Sequence, residues 1–566
     1  MSDGPSGSLV FLSPIVYCSD ERIALKRTCQ FPTQTLLIVI GALLFIPFLG
    51  NVHLFDWDEI NFAESAREML LTHNYRTVQI NFESFYEKPP LFIWLQAFSM
   101  NCFGVNEFAA RLPNALCGII TMLAVFRVGR SVFTSQLGVL WALLFAGSIL
   151  PQIYFKSGII DPVFNLFIFL GIFFIFKVSV ANNSEPGKGL ERNRRINLVL
   201  SGLFIGLAAL TKGPVAILVS ALTASVCFLM NRGKLKIKLG EIIGWGVVVF
   251  LVGLAWLSFE IRANGMHFVN EFVRYQIRLF STKDAGHGGA FYYHFLVLII
   301  GVFPASALIV DAFRKNAHDD FAQKSFKQWM ICLLLVVLVI FSIVQTKIIH
   351  YSSLCYFPIT FLAAYYLHYL FEDKMRWTWR QTVPLLAIGA LIVVAVSGII
   401  LLVQHPDAFI HYIKDDFARA CLQATVDWSN GDIIFGWIYA AGIIIAIRLA
   451  QTKHVKLGAY LIISSSALFV NILAGVFVPR AEQYSQAALI EFLESKQNEN
   501  CVIETARFKS YAHYFYARKP VPSASDSSKT VYVITKVNKA DAVLLQRNDL
   551  KELYRKNGWV FFEKSR

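Results

Sequence analysis

The stretch TVPLLAIGALIVVAVSGIILLV, residues 382–403, contains no charged side chain. About 20 helical residues rising ~1.5 Å each cover the roughly 30 Å of hydrocarbon in a bilayer, so this run can cross it. Backbone groups in lipid must be satisfied by a helix or a closed barrel, and a run this long is not a short barrel strand. Working outward, comparable runs lie near 34–54, 111–126, 137–153, 162–180, 196–211, 214–231 and 240–259, then near 293–312, 328–345, 350–371, 433–450 and 458–478. The expected fold is a polytopic α-helical membrane protein of roughly thirteen transmembrane helices. Composition agrees: 56% of the 566 residues are hydrophobic and 16% charged, with a mean hydropathy of +0.53. A soluble chain of this length needs less apolar content to build a core.

The net charge of +14 is explained by its distribution. Basic residues gather in alternate short loops, among them Arg127 and Arg130, Arg192, Arg194 and Arg195, Lys234 and Lys236, Lys324 and Lys327, and Lys453 and Lys456. With the spans above, these loops fall on one side, the positive-inside pattern of cytoplasmic loops. No basic stripe interleaved with aromatics points to nucleic acid. The pattern divides the chain into a cytoplasmic N-terminal tail, 1–33, without a cleavage signature, and a transmembrane domain, 34–478, with external loops 55–110, 260–292 and 404–432. An external α/β domain, 479–566, follows. The apolar piece Leu91–Phe103 is expected to lie at the interface, because counting it as a span would invert every later loop. In the tail, 485–496 reads as a helix, 501–505 and 530–535 as strands, and 539–554 is expected to contain another helix. The nine cysteines carry no CxxC spacing and read as apolar filler. Cys421 and Cys501 both fall outside, where a pairing is open.

Ionisable groups at the ends of apolar runs are costly unless used. In this chain they gather on the external side: Asp56, Asp58 and Glu59; Glu87 and Lys88 on a turn stiffened by Pro89 and Pro90; Asp161; Lys212; Arg278; His287; Lys347; His350. Glu64, Arg67 and Glu68 sit at helical spacing and read as a solvated charged face. Asp161 before Pro162 reads equally as a helix cap. Basic groups opposite the positive-inside side need a separate reason, and an anionic lipid phosphate supplies one.

The acidic run Asp58-Glu59…Ala63-Glu64-Ser65-Ala66-Arg67-Glu68-Met69, then EKPPL (87–91), ARLPNAL (110–116), Asp161-Pro162, LTKGP (210–214) and TKIIHY (346–351) resemble, in order, the polyprenyl-phosphate-sugar-dependent GT-C glycosyltransferases of the aminoarabinose transferase and protein O-mannosyltransferase type. The resemblance implies an inverting transferase at the outer face of a bacterial inner membrane, with the N-terminus cytoplasmic and the C-terminal domain periplasmic. It would use an undecaprenyl-phosphate-linked sugar donor and a lipid A, glycan or protein acceptor. It also implies Asp58 and Glu59 as catalytic carboxylates, and Tyr86, Glu87, Lys88, Asp161, Lys212, Arg278, His287, Lys347, His350 and Tyr351 as substrate-binding residues, with a divalent metal at Glu87. A transporter is the competing class. It predicts charges at mid-membrane and paired broken helices, whereas these spans carry their ionisable groups at the ends.

Overall fold

The computed structural model describes the chain apart from residues 1–29, 57, 182–187, 231–237, 283–287, 315, 521–529 and 565–566. Among the described residues, eight helices are long and apolar enough to cross a membrane, and a ninth crossing results if Leu239–Gly253 and Ala255–Asn264, bent by 48°, form one span. The protein is a polytopic helical membrane protein. Local chemistry sets the helix ends. Asn106 accepts the Ala109 N–H to start Glu107–Val132, and Thr134 does the same for Leu137 at the head of Ser135–Gly147. Each satisfies an amide that the first turn leaves orphaned. These two helices cross closely because neither presents a side chain at the contact: a Cβ on Gly129 would stand 2.8 Å from Gly138 Cα. Small residues that let backbones approach are the usual adhesive between helices in lipid, where no hydrophobic effect drives them together.

The expected span 137–153 is interrupted at Ser148, where Ser135–Gly147 gives way to the short helix Ile149–Tyr154. The expected span near 293–312 is likewise broken into Tyr293–Gly301 and Ala305–Leu308 around Pro304, which lacks the N–H that a continuing helix needs.

The loop after the first apolar helix is the largest departure from the sequence reading. Helix α1 (Asp58–Thr72) is buried along most of its length, including Glu64, Arg67 and Glu68. These residues were expected to face water. They are instead covered by a hairpin of β1 (Gln79–Ile80) and β2 (Glu83–Ser84) and by the C-terminal domain. Arg67 pairs with Glu64 at 2.7 Å and also donates to the Lys519 carbonyl. Burial of Glu64 and Arg67 is tolerable because these two charges satisfy one another.

In the C-terminal domain, β3 (Cys501–Thr505), β4 (Thr530–Lys536), β5 (Leu550–Lys556) and β6 (Trp559–Lys564) form one sheet of order β3-β4-β6-β5, with β3 and β4 parallel and the other pairs antiparallel. The helix expected over 539–554 is only Ala540–Leu544, followed by strand β5. Asn557 and Gly558, with φ of 45° and 84°, make the two-residue turn that forces a hairpin there. Loop 404–432 holds short turns and the helix Asp416–Cys421. Cys421 and Cys501 are both free.

Candidate active site

Four separated segments bring charged side chains to one place. Asp58 opens α1. Asp161 opens the helix Asp161–Ala181. Lys212 ends the helix Lys188–Lys212, which stops because Gly213 turns at φ 98° and Pro214 follows, a common helix termination. His350 lies in the 3-10 turn Ile349–Cys355. Lys212 Nζ donates to Asp161 Oδ1 at 2.6 Å. His350 Nε2 stands 3.6 Å from Asp58 Oδ2 and 3.8 Å from Asp161 Oδ2. Asp161 is 2% exposed, and its Oδ2 has no hydrogen-bond partner. Its carboxylate is therefore turned on Lys212 and His350, not spent on capping its own helix.

The amphipathic helix His267–Ser281 supplies a second group. Lys88 Nζ donates to Tyr275 Oη at 3.1 Å, and the Arg278 guanidinium lies 5.2 Å from the same ring. Lys212 sits 5.2 Å from the Tyr351 ring. A cavity of about 100 Å³ lies between the two groups, with Lys88, Asp161, Lys212, Gln276 and Tyr351 among otherwise mainly apolar walls. A larger and mainly apolar cavity of about 480 Å³ has His350, Lys347 and Lys156 among its lining residues. Lysines and an arginine thus stand beside buried carboxylates, an arrangement that can hold an anion and orient a nucleophile.

Other expected site residues are placed differently. Glu59 is 5% exposed and fully engaged. It takes Arg111 through both oxygens, at 3.0 and 2.8 Å, and also the amides of Phe55 and Gly158. Burial works to raise its carboxyl, but the Arg111 charge and hydrogen bonds outweigh that and hold it below the ordinary range. Glu59 thus braces the chain beside Asp58. Lys347 does not join the other cations: its Nζ donates to the carbonyls of Phe341, Ser342 and Val344, closing the end of the helix Phe321–Ile343. Tyr86 packs edge-on against His267 and Phe268, anchoring the amphipathic helix. Glu87 is half-buried. His287 lies outside the described residues. Among those described, no three His, Cys, Asp or Glu side chains converge to hold a metal ion.

Arg111 and Tyr275 were missed in the sequence. Arg111 had a signal, a lone arginine opening an otherwise apolar run. Tyr275 lies three residues before Arg278, one helical turn, which places both on one face.

The model for the dolichyl-phosphate-mannose-protein mannosyltransferase family matches residues 87–259. An undecaprenyl phosphate-alpha-4-amino-4-deoxy-L-arabinose arabinosyl transferase of Pectobacterium carotovorum is 24% identical over 79% of this chain and 76% of its own length. A relative of the same name from Pseudomonas aeruginosa is 26% identical over 60% of each chain. The crystal structure of ArnT from Cupriavidus metallidurans bound to undecaprenyl phosphate superposes with a TM-score of 0.72 at 18% identity, over 94% of this chain and 97% of that one. Its apo form gives 0.73 at 16% identity, with the same coverage. The chain is similar to GT-C proteins of the aminoarabinose-transferase type. The GT-C likeness spans both the helical region and the C-terminal domain, while the family-model match takes in Lys88, Arg111, Asp161 and Lys212.

Proposed function

We propose that this GT-C protein is an inverting glycosyltransferase that moves a sugar from an undecaprenyl-phosphate carrier to lipid A or another surface glycan. The observation that carries this reading is the meeting of Asp58, His350, Asp161, Lys212 and Lys88 around one cavity. Lys88 and Arg278 meet the carrier phosphate, with Tyr275 between them. As the bond from the anomeric carbon to the phosphate oxygen breaks, their charge stabilises the departing anion. Asp58 stands where it can take the proton of a hydroxyl acceptor or orient a phosphate acceptor that is already ionised. Lys212 holds the Asp161 carboxylate in place, and Asp161 with Asp58 flanks the His350 ring. A divalent ion at Glu87 remains part of the proposal only as added charge near the phosphate. Among the described residues no three His, Cys, Asp or Glu side chains gather at Glu87, and no step runs through a metal.

The proposed setting is the bacterial inner membrane, with the site and the C-terminal domain outside. Pro32–Phe45, Ser135–Gly147, Val215–Met230 and the broken segment from Tyr293 would complete roughly thirteen crossings, leaving Leu91–Phe103 at the interface. A protein hydroxyl is the second acceptor reading. It draws on the mannosyltransferase model, whose match ends at residue 259, before Arg278 and His350. The arabinosyl transferase likeness extends over far more of the chain and favours the glycolipid acceptor.

The test is transfer by the purified protein from undecaprenyl-phosphate sugars to lipid A, other glycans and peptides. Asp58→Asn and Lys88→Ala are each expected to lower kcat by about 10²–10³, the range for removing one preorganised electrostatic group. Undiminished transfer in both variants would overturn the site assignment.

A further inference from the structure

A further cavity has Asp56, two residues before Asp58, on its wall and is not used by the chemistry above. It measures about 690 Å³, within the roughly 300–1,000 Å³ usual for small-molecule pockets. Its walls come from Asp56, two residues before α1, from the helix Asp416–Cys421 and from the C-terminal domain. Lys536, at the end of β4, lies 4.6 Å from the Phe417 ring and 5.9 Å from Trp559. Phe417 and Phe508 both stand edge-on or tilted to Trp559, at 5.3 and 5.2 Å, so three aromatic rings form one corner. Asp56 is anchored by Ser510 and the Tyr511 amide and feels the charge of Lys536. Neither Asp56 nor Lys536 makes an ion pair among the described residues. A carboxylate and an ammonium are thus both held at the wall of one cavity without neutralising each other in contact.

That combination selects a ligand class. An ammonium fixed over aromatic rings attracts an anion. Half-buried Phe417 and Phe508 offer apolar faces to the C–H side of a sugar ring. A carboxylate accepts hydrogen bonds from sugar hydroxyls or an amino group. A bare acyl chain uses none of these polar groups. Position adds a constraint, because two residues of chain span at most about 7 Å, so a ligand on Asp56 is presented next to Asp58. We propose that this cavity binds the phosphorylated saccharide head of the acceptor, with Lys536 on the phosphate, Asp56 on the sugar's polar groups and Phe417 and Phe508 along its apolar face. The assignment rests on the glycolipid-acceptor reading and extends it to the residues that choose the acceptor.

Two arms test it in the full-length protein held in lipid nanodiscs. Calorimetry with glucosamine 6-phosphate, glucosamine and inorganic phosphate reads the site without transfer. The sugar phosphate is expected to bind about ten-fold more tightly than either fragment, and Lys536→Gln to lose about ten-fold, the effect of one charge-assisted contact. Lys536→Arg restores binding, and Phe508→Ala weakens it independently should Lys536→Gln misfold. Asp58→Asn keeps wild-type binding, so failure of the transfer reading leaves this arm intact. In transfer assays, Lys536→Gln is expected to raise the acceptor KM about ten-fold while kcat and donor KM stay unchanged. Glucosamine 6-phosphate competes with acceptor and not with donor, which separates a lipid head from a free sugar phosphate as the occupant. Equal binding by wild type and Lys536→Gln, phosphate alone binding as tightly as the sugar phosphate, or competition against donor would each overturn the proposal.

Discussion

At the scale of single residues, the chain separates carboxylates that look alike in sequence. Glu59 and Asp58 are neighbours, yet one is locked to Arg111 and the other stands near His350 with about a third of its side chain exposed. Replacing Glu59 by Gln leaves a buried guanidinium uncompensated, and breaking such pairs costs about 3–5 kcal/mol. The melting temperature of Glu59→Gln in nanodiscs should fall accordingly, and undecaprenyl phosphate binding should fall only with the folded fraction. Glu68 behaves in the opposite sense. Burial, reinforced by Glu64, pushes its carboxyl up to about 8 from an ordinary 4.5. A carboxyl raised in the folded state binds its proton more tightly there. Its contribution to stability is therefore most favourable below about 4.5 and declines as pH rises through about 8. Unfolding measured from pH 5 to 9 should show this decline in wild type and a flatter profile in Glu68→Gln. A parallel decline in both would assign it to another group.

At the scale of elements, the apolar runs were legible because lipid permits so few backbone solutions. The pieces that contact the site were less so. Helix α1 reads as a polar surface helix because its covering layer, near residues 513–519, is more than 400 residues away, and no local pattern reports it. The strand β5 was hidden by Leu550-Lys551-Glu552-Leu553-Tyr554, whose spacing also suits a helix. The decisive signal was the following Asn557-Gly558 pair. Gly558 is required twice over: its φ of 84° suits glycine, and a Cβ there would stand 2.9 Å from Phe417 and 3.0 Å from the Cys421 sulfur. Gly558→Val is expected to cost about 1–3 kcal/mol and to speed hydrogen exchange in β5, β6 and Asp416–Cys421 together. Normal protection in that variant would show that the turn does not hold the two elements in register.

At the scale of the whole molecule, the C-terminal domain is part of the site's scaffold. Tyr516 Oη accepts the Leu54 N–H at 2.6 Å, the Lys519 carbonyl takes Arg67, and Gln486 donates to the Leu54 carbonyl. These bonds clamp the chain on both sides of Asp58. A chain ending at residue 486 should keep its transmembrane helicity by circular dichroism but lose protection of the α1 amides, and transfer with it. Full transfer by that truncation would reduce the domain to an appendage. The same clamp has a bearing on biogenesis. Asp58 leaves the ribosome well before Tyr516 and Lys519, and the later spans are made in between. The segment around Asp58 therefore waits unclamped while the helices that follow it enter the bilayer, and it is set in place only when the C-terminal domain folds over it.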